Sequence, residues 1–157
     1  MNRDEIKNRI RAFLYLFEED LSENTEEERL ISLGLALDEL AVASHFVTYT
    51  FDNRDYPLAP ERSYDEMRKI VIARFAGLGP YNLAGSTTES IGSEDCIVGD
   101  SIDDMADIAN ELYAVEWYWH HTSVDDALWH FEDGYAHHWG DHLRCMQLYL
   151  YRLRDGL

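Results

Sequence analysis

The sequence predicts an all-α fold, an up-and-down bundle of about five helices with the second helix at its centre. Two observations carry that expectation. The first is a recurring helix-start signature, [ST]-x-x-[DE], at Thr25–Glu28, Ser63–Glu66, Ser101–Asp104 and Ser123–Asp126, with a looser version at Asn2–Glu5. The first side chain of such a box accepts from an orphan backbone N–H, and the acid three residues on reaches back to the cap. The second is that each signature precedes a stretch in which apolar residues recur with the period of a helix. Helices are therefore expected to begin at about residues 3, 26, 64, 102 and 124.

The first helix carries Ile6, Ile10, Phe13, Leu14 and Phe17 on one face. The second, over residues 26–49, is apolar on two arcs. Leu30, Leu33, Leu37, Leu40, Ser44 and Val47 form one, and Ile31, Leu35, Val42, Phe46 and Tyr49 form the other. A helix polar on so little of its circumference belongs in the middle of a bundle. The third turns Met67, Ile70, Val71 and Phe75 inward, and the fourth Met105, Ile108, Leu112, Val115 and Trp119. The fifth, over residues 124–154, turns in Leu128, Phe131, Tyr135, Met146, Tyr149 and Leu153. Two connections are long, 50–62 and 77–100. The second holds five glycines and the run GSTTESIGS, and reads as a mobile connector in which only DCIVGD could pair briefly as a strand.

A chain of 157 residues fits one domain, residues 1–157, with a core large enough to need no staples. Thirteen basic residues against thirty-one acidic ones leave a net charge of −18. That field repels phosphate backbones and anionic lipid, which argues against nucleic-acid and membrane-surface binding and favours a basic protein partner or cations. Cys96 and Cys145 are too few for a disulfide framework. No apolar run approaches the ~18 residues of a membrane span, and the first residues, MNRDEIKNRI, lack the apolar stretch of a signal peptide. A cytoplasmic location is expected.

The stretches VGDSIDDMADIANEL and DDALWHFEDGYAHHWGDHL resemble a bacterial family known as domain of unknown function 5063. The shared features are Asp104-x-x-Asp107-Ile108, Asp126-Ala127-Leu128-Trp129 and His138-Trp139-Gly140-x-His142, with LALDELA fitting the family's second helix. The resemblance covers most of the chain. It implies an all-helical fold and brings no activity, cofactor or catalytic residue.

Polar residues placed among apolar ones are the candidates for function. At ~100° per residue, His142 falls in the middle of the last helix's apolar arc. His138 lies one turn earlier at the arc's edge, so the two imidazoles point the same way, ~6 Å apart. His130, His137 and Asp141 fall on the solvated side. Asp38 and His45 share a direction on the second helix, and Glu116 sits inside the apolar arc of the fourth. Five groups are thus expected to point into the bundle: Asp38, His45, Glu116, His138 and His142. Imidazoles at i and i+4 make a good bidentate ligand for zinc, iron, nickel or manganese, and another helix can complete the shell. The placement of His45, His138 and His142 is similar to the histidine triad of DinB-like metal-binding bundles. Leu143-Arg144-Cys145 stands where that family carries Arg-Gly-Gln. The competing reading is that Asp38–His45 and Glu116–histidine pairs satisfy one another as buried hydrogen-bonded partners.

Asp104, Asp107 and Glu111 form a further carboxylate stripe on the fourth helix that could hold Mg²⁺ through phosphate. Asp104 is expected instead to close a capping box with Ser101, and Asp103 and Asp107 to suit the positive end of the helix dipole. The four tryptophans read as core and rim aromatics, and Cys145 as a packed hydrophobe. No G-x-S-x-G elbow, P-loop or E-x-x-H di-iron motif is present. The leading expectation is a non-catalytic acidic protein that acts by binding a partner. The alternative is a metal-binding bundle, such as a metal-dependent transferase or hydrolase.

Overall fold

The computed structural model describes residues 1–18 and 23–155. It contains α1 (Arg3–Glu18), α2 (Glu26–Ser44), α3 (Tyr64–Arg74), β1 (Pro80–Ala84), β2 (Cys96–Asp100), α4 (Ser101–His121) and α5 (Val124–Gly134). One wide π-helical turn (Tyr135–Trp139) follows, and α6 (Gly140–Asp155) ends the described chain. The helix starts lie where local capping chemistry puts them. Thr25 and Glu28 close a full capping box on α2, and the Ser63 and Ser123 hydroxyls accept from the N–H groups of Glu66 and Asp126. Asn2 and Glu5 exchange two hydrogen bonds of 2.6 and 2.9 Å at the start of α1.

The exception is α4. Its cap is Asp100, whose carboxylate accepts from the Ile102 N–H, and Ser101 is fully buried with its hydroxyl donating to the Gly79 carbonyl at 2.7 Å. The expected Ser101–Asp104 box does not form, because Ser101 finds a partner across the hairpin and Asp104 is drawn elsewhere.

Helix α4, not α2, is the centre of the bundle. It packs against α1, α3, α5 and α6 and buries Met105, Ala106, Ile108, Ala109, Leu112 and Val115 completely or nearly so. Helix α2 lies to one side against α1 and α6. Only one of its two apolar arcs is covered: Leu33, Leu37 and Leu40 are inaccessible, while Ile31, Leu35, Val42 and Phe46 stay exposed. It also stops at Ser44, five residues short of the expected end, with His45 as its exposed C-cap.

The stretch 77–100 is not a structureless connector. Strands β1 and β2 pair antiparallel from Pro80–Asp100 to Ala84–Cys96, so DCIVGD does pair, and the fold is a helical bundle with one hairpin attached. The hairpin is seated by Tyr81, whose ring stacks on Tyr149 and is packed so closely by Gly99 that a Cβ there would overlap it. The connection 50–62 is tied down by polar contacts. Asp52 accepts from Arg54, Tyr56 and Ser123, and the Ala59 N–H donates to the Tyr118 hydroxyl. Among the described residues, no helix is long and apolar enough to cross a membrane.

Candidate metal centre

On α4, Asp104, Asp107 and Glu111 are spaced three and four residues apart, which puts three carboxylates along one face of a helix. Opposite them run the π-helical turn and the first turn of α6, which carry His138 and His142. The pairing runs in reversed order. His142 Nδ1 meets Asp104 Oδ1 at 2.6 Å, and His138 Nδ1 meets Glu111 Oε1 at 3.2 Å. The imidazole planes stand at 85° with centroids 5.1 Å apart. Asp107 lies between the outer pairs, its Oδ2 3.7 Å from His142 Nε2.

Each histidine thus has one ring nitrogen engaged by an outer acid, and its second nitrogen is left for the middle of the site. One ligand atom each from Asp107, His138 and His142 lie within 4.8 Å of one another. Ligand atoms around a tetrahedral ion at ~2.0–2.1 Å stand roughly 3.4 Å apart. The Asp107–His142 separation is already close to that. The remaining distance falls to His138, whose side chain is 47 % exposed and meets Glu111 at 3.2 Å.

The surroundings set the charge of these groups. The hydrogen bond that His142 donates to Asp104 raises the His142 pKa above its ordinary value, against the opposing effect of burial. Burial also pushes the Asp107 carboxyl upward, an effect that the two nearby histidines partly offset. Behind Asp104 stands Tyr81 of β1, whose hydroxyl donates to Oδ2 at 2.5 Å, so Asp104 joins the hairpin to the histidine. Burial and this hydrogen bond drive the Tyr81 pKa far up, and burial raises the neighbouring Cys145 thiol as well, so both are protonated hydrogen-bond groups at neutral pH.

The π-helical turn explains the sequence YAHHWG. A regular α-helix would carry Trp139 away from the line of Phe131. One wide turn absorbs the excess, so Phe131, Trp139, Leu143 and Met146 all bury fully. Gly140 makes the turn feasible, since a Cβ there would press into the Tyr135 carbonyl oxygen. Gly134 opens room for the Trp139 indole, whose nitrogen would lie 2.8 Å from a Cβ at that position. The same turn displaces His142 from the middle of the apolar arc. Leu143 takes that place, and the imidazole sits half-buried at the rim where the acids of α4 can reach it.

Of the five residues expected to converge, only His138 and His142 do so. His45 is exposed at the end of α2. Asp38 is exposed and accepts from the Gln147 side chain at 2.7 Å, and Glu116 is held by Arg11 at 2.7 Å. The triad implied by the likeness to DinB-like bundles does not form, because α2 ends at Ser44 and leaves His45 exposed at its C-cap. Nor do the expected Asp38–His45 and Glu116–histidine pairs. Asp104, Asp107 and Glu111 form a stripe in the sequence that nothing local ties to the histidines. The signal that joins them is the match between D-x-x-D-x-x-x-E and H-x-x-x-H on two helices running in opposite directions. His130, expected in solvent, is stacked on Tyr118 with centroids 3.7 Å apart, and burial lowers its pKa.

The family model described as domain of unknown function (DUF5063) matches residues 4–154. Among solved structures, the chain is similar to protein BF1032 from Bacteroides fragilis, with 14% sequence identity and a TM-score of 0.74. The likeness covers 94% of this chain and 89% of that one, and shows the fold alone. No curated protein matches the chain.

Proposed function

The chain belongs to the DUF5063 family, whose name assigns no activity, and from the geometry we propose that it binds one divalent transition-metal ion through Asp107, His138 and His142. The observation that carries this reading is the grouping of two imidazoles and a carboxylate, each histidine backed by its own acid. A carboxylate on the far nitrogen fixes the tautomer and makes the imidazole a better donor, and such backing is characteristic of metal-ligating histidines. Zinc, iron, nickel and manganese all suit the donor set. Two histidines and one carboxylate that leave positions open are the facial arrangement of non-haem iron and of catalytic zinc sites.

Three protein ligands at a partly exposed rim keep coordination positions for water or a substrate oxygen, which suits metal-assisted hydrolysis or group transfer better than a closed structural site. The partner-binding reading rests on net charge and draws on no residue here; it belongs to a different face of the molecule.

The test is titration of tag-free protein, stripped by chelator, with Zn²⁺, Ni²⁺, Mn²⁺ and anaerobic Fe²⁺ by calorimetry. One equivalent is expected to bind, with affinity falling at least 100-fold in His142→Ala and in Asp107→Asn and unchanged in His45→Ala. Binding that is absent, or that survives His142→Ala, overturns the reading. In that case His142 bridges Asp104 and Asp107 and serves the fold.

A further inference from the structure

We infer that the outer face of α2 is a docking surface for a basic amphipathic helix of a partner protein. Ile31, Leu35 and Val42 recur at intervals of four and seven residues, a single stripe along α2, and Phe46 follows just past the helix end. All four are exposed; Leu35 is 61 % accessible, whereas Leu37 on the covered arc is at 0 %. A monomer rarely leaves so long an apolar line uncovered without using it. Beside the stripe lies a cleft of about 1030 Å³ between α2 and α6, lined by Ile31, Leu35 and Asp38 on one side and Gln147, Leu150 and Tyr151 on the other. From Glu27 to Val42 the face is ~22 Å long, about four turns of a partner helix.

Charge selects the occupant. Around the cleft Glu26, Glu27 and Asp38 stand against a single cation, Arg154 of α6, while Glu39 is already paired with Arg9 and Glu28 with the Thr25 cap. At 100° per residue, Glu27 and Asp38 fall on the line of the stripe itself, Asp38 between Leu35 and Val42. An occupant that covers the stripe must cover these carboxylates too. Leaving a carboxylate buried without a cation is costly, so the occupant must supply Lys or Arg among its apolar residues. A second copy of this chain brings the opposite of what is needed. It would set acid on acid between two bodies of charge −18 each. An acidic or neutral helix fails for the same reason. A basic amphipathic helix, with leucine-like residues at i, i+4 and i+7 and cations between them, meets both requirements.

The surface shares no residue with the Asp107–His138–His142 cluster, so its test stands apart from metal binding. The probe is an 18-residue helical peptide of leucine and lysine with the leucines on one face, labelled with fluorescein and followed by anisotropy. The controls are the same peptide with glutamate for lysine and one with the leucines scrambled. The amphipathic basic peptide is expected to bind one to one and to weaken as salt rises. Leu35→Ser and Asp38→Lys, at exposed positions and with melting temperatures unchanged, are each expected to weaken it at least tenfold. Equal binding of the scrambled peptide, equal binding by both variants, or binding of the glutamate peptide overturns the proposal. So does a wild-type dimer in sedimentation that Leu35→Ser turns into a monomer, since a second copy would then be the occupant.

Discussion

Two helix faces of this molecule carry polar groups among apolar ones, and their fates differ. The Asp104–Asp107–Glu111 face of α4 is met by His138 and His142, each opposite a carboxylate in reversed order. The Asp38 face of α2 is met at one edge by Gln147 and otherwise left open beside Leu35 and Val42. A polar residue on a helix becomes part of a site when the facing element supplies complementary groups at matching spacing. Without such a partner the same residue marks an outer surface. The contrast rests on coverage, and substitutions can test it directly.

The largest effect is expected within α2. Leu37→Ala removes a fully buried side chain and should cost about 2–5 kcal/mol in denaturant unfolding. Leu35→Ala, two residues away on the open arc, should stay within about 0.5 kcal/mol of wild type. Equal costs would mean that the outer arc is covered after all.

Gly140→Ala comes next. In an ordinary helix interior this change stabilises by up to about 1 kcal/mol. Here the added methyl meets the Tyr135 carbonyl inside the wide turn, so a loss of about 1–3 kcal/mol is expected from overpacking. A gain in the urea midpoint would show that the turn does not need glycine.

The outer acids of the metal centre should matter less than its ligands. Glu111→Gln and Asp104→Asn are each expected to lower metal affinity about 10–100-fold by leaving a histidine without its backing carboxylate. Asp38→Asn and Glu116→Gln, whose partners lie elsewhere, should leave it unchanged in the same calorimetric titration. An effect of Glu116→Gln as large as that of Glu111→Gln would erase the distinction between the two faces.

The smallest effect is a dependence on pH whose sign reverses with metal. Asp104 raises the folded-state pKa of His142 above the ordinary 6.5. The metal-free protein therefore holds the full stabilisation of this pair below about pH 6.5 and loses it as pH rises through the raised value. Metal needs the neutral ring, so stabilisation by metal should grow over the same interval. Melting curves of wild type and His142→Gln across pH 5.5–8.5, with and without Zn²⁺, check both slopes. Parallel slopes in the two conditions would remove His142 from the ligand set.

Much of the architecture was legible in the sequence because capping is local. Thr25, Ser63 and Ser123 find their partners within four residues, and those helix starts follow from short-range chemistry alone. Ser101 carries the same signature but bonds to Gly79, twenty-two residues away across a hairpin that no local pattern reveals. The second strand could be suspected from DCIVGD, whereas the alternation of Tyr81 and Leu83 about Asn82 in PYNLA is too short to announce the first. The centre of the bundle is not legible in the sequence, because the two apolar arcs of α2 say what each face is made of and nothing about what lies against it. At the site, the H-x-x-x-H spacing identified the two histidines that come together. The constant 100° rotation behind their assigned direction fails at the one wide turn between Tyr135 and Trp139. The acids were recognised as a stripe, but their pairing with the histidines depends on α4 and α6 running side by side, a relation between distant segments.

The wide turn also equips the protein with an optical reporter. Trp139 is fully buried, while Trp117, Trp119 and Trp129 are only partly so, and its indole N–H has no hydrogen-bond partner among the described residues. Its emission should therefore sit to the blue of the other three. It also directly follows His138 in the chain, and its nitrogen lies beside Gly134, against which Glu111 also packs. A paramagnetic ion such as Ni²⁺ at His138 would quench this blue component first and leave the redder emission of the other three tryptophans largely intact.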